Sequence, residues 1–148
     1  MGVYMRAVIS SWPGHEFGEL VAFVGEQSDG FVVSGDGWAD FEIHDPAGDA
    51  VLIADLITGE AEVREELEEL LESLDDLRGS PAAHEKVEAH LRTASAVVGM
   101  QIIMSRYDES VAAANQLIAF LERSPGVLTQ IDTVGWYDLD DLILQEPE

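Results

Sequence analysis

The sequence predicts an α+β fold in two layers, a mostly antiparallel mixed sheet packed with about three helices, with an N-terminal β-meander and a C-terminal strand-helix-strand plus hairpin. Three patterns carry this expectation. The first third of the chain holds short apolar or alternating runs broken by glycine and aspartate. Residues 60–77, EAEVREELEELLESLDDL, place Val63, Leu67, Leu70, Leu74 and Leu77 at alternating steps of four and three. An apolar run at 96–104 is followed by an amphipathic stretch at 108–123 and a second apolar run at 127–131. A length of 148 residues with 47% hydrophobic content fits one α+β domain, 1–148, with its own core.

In chain order, residues 4–10 read as a strand that Trp12-Pro13-Gly14 ends. Strands are expected at 20–24, 31–34, 38–44 and 51–57, because Asp29-Gly30, Gly35-Asp36-Gly37 and Asp45-Pro46-Ala47-Gly48-Asp49 tolerate the angles of tight hairpins. The leucine stripe, widened by Leu71, predicts a helix over 60–77. Gly79 is placed to end it, and Ser80-Pro81 to cap a second helix over 81–95. Residues 86–93 also alternate as a strand would, but Pro81 and the Ala, Glu, Leu and Arg content favour helix. Next come a strand at 96–104 buried on both faces, a helix at 108–123 with Val111, Leu117, Ile118 and Leu121 inward, and a strand at 127–131. If those two strands were neighbours they would run parallel with a right-handed crossover. A last hairpin turns through Asp138-Leu139-Asp140-Asp141 into Leu142-Ile143-Leu144.

Thirty acids face seven lysines and arginines, a net charge of −23. That balance disfavours direct contact with nucleic acid or an anionic membrane. The acid is segregated: residues 1–59 hold ten acids and only Arg6, residues 60–77 nine acids and only Arg64, and residues 132–148 six acids and no base. Residues 78–131 balance five of each. With no cysteine there is no disulfide framework and no thiol nucleophile. The N-terminus lacks a basic segment followed by a long apolar one, and no window reaches membrane-span length, so a soluble, cytoplasmic protein is expected.

No motif points to catalysis, a cofactor or a metal. His84 and His90 evoke a zinc helix, but Glu88 stands where the second histidine is needed, and a six-residue step turns about 240° around a helix. Asp36, Asp40 and Glu42 break the calcium-loop pattern at Trp38, and His44, Asp45 and Asp49 suit turn chemistry. No nucleophile elbow or Walker lysine occurs. A non-enzymatic protein is expected.

The acid of residues 60–77 works against its own helix. Glu62 with Glu66, Glu65 with Glu69, and Glu68 with Glu72 each cost roughly 0.2–0.5 kcal/mol at low salt. Asp75 and Asp76 oppose the helix dipole. Leucine burial, about 1.5–3 kcal/mol for each fully buried side chain, outweighs this. The acid is thus needless for folding and calls for a cationic complement. The leading expectation is an acidic binder that docks on and blocks a basic protein, such as a nuclease toxin or nucleic-acid-binding protein, in the manner of toxin-immunity proteins or DNA-mimic inhibitors. The expected contacts are Glu65, Glu66, Glu69, Glu72 and Asp76, with Trp136 and Tyr137 as anchors beside Asp138, Asp140 and Asp141. The alternative is a salt-adapted domain with a different ligand-binding or structural role, consistent with a single lysine, Lys86. Self-association through the leucine stripe is possible, though a stripe of this width suits packing on a sheet.

Overall fold

The computed structural model describes residues 3–147; Met1, Gly2 and Glu148, the ends of the expected domain, lie outside them. The elements are β1 (Val3–Ile9), α1 (Phe17–Gly25), β2 (Val32–Gly37), β3 (Asp40–His44), β4 (Ala50–Ile57), α2 (Glu60–Ser73), α3 (Pro81–Thr93), β5 (Ala96–Ile102), α4 (Tyr107–Leu121), β6 (Val127–Ile131), β7 (Gly135–Asp138) and β8 (Asp141–Gln145). One eight-stranded sheet in the order β2-β3-β4-β5-β1-β6-β7-β8 carries the α+β fold, and every neighbouring pair is antiparallel.

β1 takes the centre because its residues need cover on both faces. Ala7, Val8 and Ile9 are all almost completely buried. Alternation along the strand sends Met5, Ala7 and Ile9 to one side and Val8 to the other. The first side packs with Leu20 and Val24 of α1 and Ala113, Leu117 and Phe120 of α4. The second packs with Val63, Leu67 and Leu70 of α2 and Val87 and Leu91 of α3. Helix-on-sheet packing therefore occurs on both faces. Val63, Leu67, Leu70, Leu74 and Leu77 of the leucine stripe are all buried in this core.

Several expected elements shift. Residues 20–24 are helical, because Phe17, Leu20 and Val24 share one helix face and a five-residue apolar run does not distinguish helix from strand. The meander is confined to β2-β3-β4, with β1 elsewhere in the sheet. Trp38 sits in the β2–β3 turn, where its indole donates to the His15 carbonyl at 2.8 Å. The expected strand at 96–104 ends at Ile102 as β5, and β1 separates it from β6, so each pairs antiparallel with β1 and no parallel ladder forms.

Residues 81–93 are helical, with the Ser80 hydroxyl accepting from the Ala83 amide at 3.1 Å. α2 ends at Ser73 in a 3-10 turn over Leu74–Asp76. Gly79 serves close approach: a Cβ there would meet the Ile143 carbonyl and Leu144. That approach lets Arg78 and Gln145 exchange backbone hydrogen bonds at 2.7 and 2.8 Å.

Trp136 lies in the core under α2 and α3 with 1% exposure. It faces inward, which corrects the expectation of a surface anchor: its strand neighbour Tyr137 takes the other face, and the larger apolar ring fills the interior. Trp136→Ala is expected to cost about 3–5 kcal/mol in urea unfolding. A loss under about 1 kcal/mol would fit an exposed anchor instead.

Candidate functional site

The acidic segment folds so that its leucines and its acids occupy different sides of α2. Val63, Leu67 and Leu70 face the sheet, while Glu65, Glu69 and Glu72, continued by Asp76 in the following turn, form an exposed outer stripe. Among the described residues no ion pair reaches these four carboxylates.

Glu66 belongs to a different arrangement. Its carboxylate accepts from Arg6 Nε at 2.5 Å, and Arg6 Nη1 donates to Gln130 Oε1 at 2.8 Å and Asp132 Oδ1 at 2.9 Å. The guanidinium also lies 4.8 Å from the centre of the Tyr4 ring. One base on β1 thus fastens the middle of α2 and the end of β6 to the sheet. Glu66 is committed to holding the helix, unlike its neighbours on the outer stripe.

Beside this hub the Tyr4 hydroxyl donates to Asp55 Oδ1 at 3.4 Å, and only glycine fits at position 99, where a Cβ would collide with that hydroxyl. Burial pushes the Asp55 carboxyl above its ordinary range; the Tyr4 hydrogen bond opposes this and the charges of Glu66 and Asp40 add to it.

Residues 132–147 touch α3 and the chain just after α2. The Arg78–Gln145 bridge joins the chain just after α2 to β8. Asp138 pairs with Lys86 of α3. Asp140 and Asp141 are exposed at the β7–β8 turn. Tyr137 is half-buried and lines a cavity with Asp140 against α4, on the sheet face opposite α2. The expected contact residues therefore separate into an α2 stripe and a Tyr137–Asp140 group.

A groove of about 550 Å³ runs between α2 and α3, with Val63, Leu67 and Leu91 among its lining residues and Arg64 and Arg92 at its edge. Both arginines pair within their own helices, with Glu60 at 3.2 Å and Glu88 at 3.8 Å.

Two of the histidine and turn candidates, His90 and Asp45, hold elements together. His90 Nε2 donates to the Val8 carbonyl at 2.7 Å and Nδ1 lies 3.1 Å from the Ser10 hydroxyl, so both ring nitrogens serve to hold α3 on β1. Burial lowers its pKa despite the Val8 hydrogen bond. Asp45 Oδ1 accepts from the Ala47 and Asp49 amides, both at 2.9 Å, and Oδ2 binds Arg106 at 2.5 Å. The Arg106 contact, ahead of the Asp49 amide, holds the Asp45 carboxyl below the usual range. Among the described residues no group of three or more His, Asp or Glu is arranged to hold a metal ion, and no helix is long and apolar enough to cross a membrane. The chain matches no family model, no curated protein and no solved structure.

Sequence reasoning missed the Arg6 hub, although one signal was present: Arg6 is the lone base of the first 59 residues and interrupts an apolar strand. Arg6→Met is expected to destabilise by roughly 2–3 kcal/mol, less than a fully buried pair because Glu66 and Asp132 keep some access to water. Adding Glu66→Gln should recover part of the loss, as a double-mutant cycle in urea would show. Because the folded state raises the Asp55 pKa, this group favours folding when protonated, and its contribution is lost as pH rises through its folded pKa. Asp55→Asn should therefore gain stability relative to wild type as pH rises from about 3, below the usual carboxyl pKa of about 3.9, to about 7. A constant difference across that interval would contradict the assignment.

Proposed function

We propose that the protein is an acidic, non-enzymatic binding protein that lays the outer stripe of α2 on a basic partner surface and blocks it. The observation that carries this reading is the contrast within one helix: Glu66 is satisfied by Arg6, whereas Glu65, Glu69, Glu72 and Asp76 are exposed and reached by no ion pair among the described residues. A rigid row of carboxylates fixed on a packed helix complements a row of lysines or arginines and speeds encounter with it. The partner is of the kind that binds nucleic acid through a basic cleft, as a nuclease toxin does, and the protein occupies that cleft in place of the phosphates.

A second reading, adaptation of the whole surface to concentrated cations, draws support from acids outside α2. Glu16, Glu19, Glu26, Asp29, Asp36, Asp40 and Asp49 are exposed on other elements and loops.

The test uses wild type and the triple variant E65K/E69K/E72K as immobilised baits. A basic protein retained by wild type and released by salt should bind the variant well over tenfold more weakly and associate more slowly. Equal affinity for both baits would remove α2 from the interface.

A further inference from the structure

We propose that the cavity between the C-terminal half of α4, strands β6 and β7 and the β7–β8 turn binds a small organic cation, a primary ammonium carried on an apolar body. The cavity holds about 420 Å³. That lies within the roughly 300–1,000 Å³ typical of small-molecule sites. Its apolar walls include Met5, Ile118 and Ile131, and its polar groups include Asn115, Glu122, Tyr137 and Asp140; among the described residues no lysine or arginine lines it.

The second observation is independent of the acid. Thr129 lines the same cavity at 5% exposure, and its hydroxyl oxygen has no hydrogen-bond partner. A buried hydroxyl left unpaired is uncommon in a folded protein, because its lost hydration is not replaced. An ammonium supplies three donors and no acceptor, which suits a hydroxyl lone pair together with two carboxylates. A neutral ligand would satisfy Thr129 but leave the carboxylates uncompensated, and an anion would be repelled by them.

The electrostatics agree. Burial first, then the charges of Asp140 and Asp138, pushes the Glu122 carboxyl above its ordinary range, so the ionised form is held at a cost that a bound cation would relieve. At the edge of the cavity Leu139 is 61% exposed with a φ of 54°, a conformation that L side chains rarely adopt. Its apolar side chain is available to cover the body of a ligand. The cavity is on the sheet face opposite α2, so this inference stands apart from the docking proposal.

The test is a ¹H–¹⁵N NMR titration at neutral pH with phenethylamine, its neutral twin 2-phenylethanol, and Nα-acetyl-lysine methylamide. At least one of the two amines should give saturable shifts on α4 and β6–β7, at least tenfold tighter than the alcohol. Glu122→Gln should weaken that binding by about tenfold. Thr129→Val should weaken it too while melting no earlier than wild type. Binding of phenethylamine alone would identify a free amine as the ligand. Tight binding of the lysine amide would identify a side chain presented by another protein. Equal shifts from amine and alcohol, binding unaffected by Glu122→Gln, or shifts confined to the acids of α2 would overturn the proposal.

Discussion

The guanidinium of Arg6 is the contact on which the arrangement of this protein depends. A helix bearing nine acids in its wider segment must lie against a sheet, and the hydrophobic stripe alone does not neutralise the carboxylate that points inward. Arg6 meets that carboxylate, Glu66, and at the same time holds Asp132 at the end of β6. Two other scarce bases act in the same way over long sequence distances: Lys86 ties α3 to Asp138 of β7, and Arg106 ties the start of α4 to Asp45 in the β3–β4 turn. Positive charge is spent where the chain needs joining, and the outer side of α2 is one place where negative charge accumulates with no ion pair among the described residues.

The second organising feature is the double-faced sheet. Because β1 is buried on both sides, each half of the molecule has its own helix pair and its own surface chemistry. Trp136 and Tyr137 illustrate the consequence: adjacent in sequence, they point through opposite faces, one into the core beneath α2 and α3 and the other into a cavity beside α4. The acidic stripe and the cavity are therefore separate surfaces that can be altered independently.

Much of this was legible where a signal was long and local. The α2 stripe, the Ser80-Pro81 start of α3, the amphipathic α4 and the β7–β8 hairpin all follow from spacing and turn chemistry within one element. What was not legible depends on which elements become neighbours. The apolar run at 20–24 was too short to reveal its period, so a helix passed for a strand. The insertion of β1 between β5 and β6 depends on burial on both of its faces, which chain order does not encode. The site shows the same divide: helical spacing placed Glu65, Glu69 and Glu72 on one exposed row, but the capture of Glu66 by Arg6 and the burial of Trp136 under α2 and α3 needed contacts between residues far apart in the chain. Thr129 carried no mark at all, since an isolated threonine in a strand is ordinary until its hydroxyl is found without a partner.

The central claim is that the core and its few ionic ties hold the fold, so that the acid on α2 is free to serve as a binding surface. A thermal melt by circular dichroism in about 0.05 M and about 2 M potassium chloride, with sucrose as an uncharged control, tests it most directly. The account expects a cooperative transition from a fully folded state at the lower salt, with only a modest upward shift at the higher. A chain that is unfolded at low salt, and is rescued by potassium chloride but not by sucrose, would contradict it and assign the acid to concentrated cations.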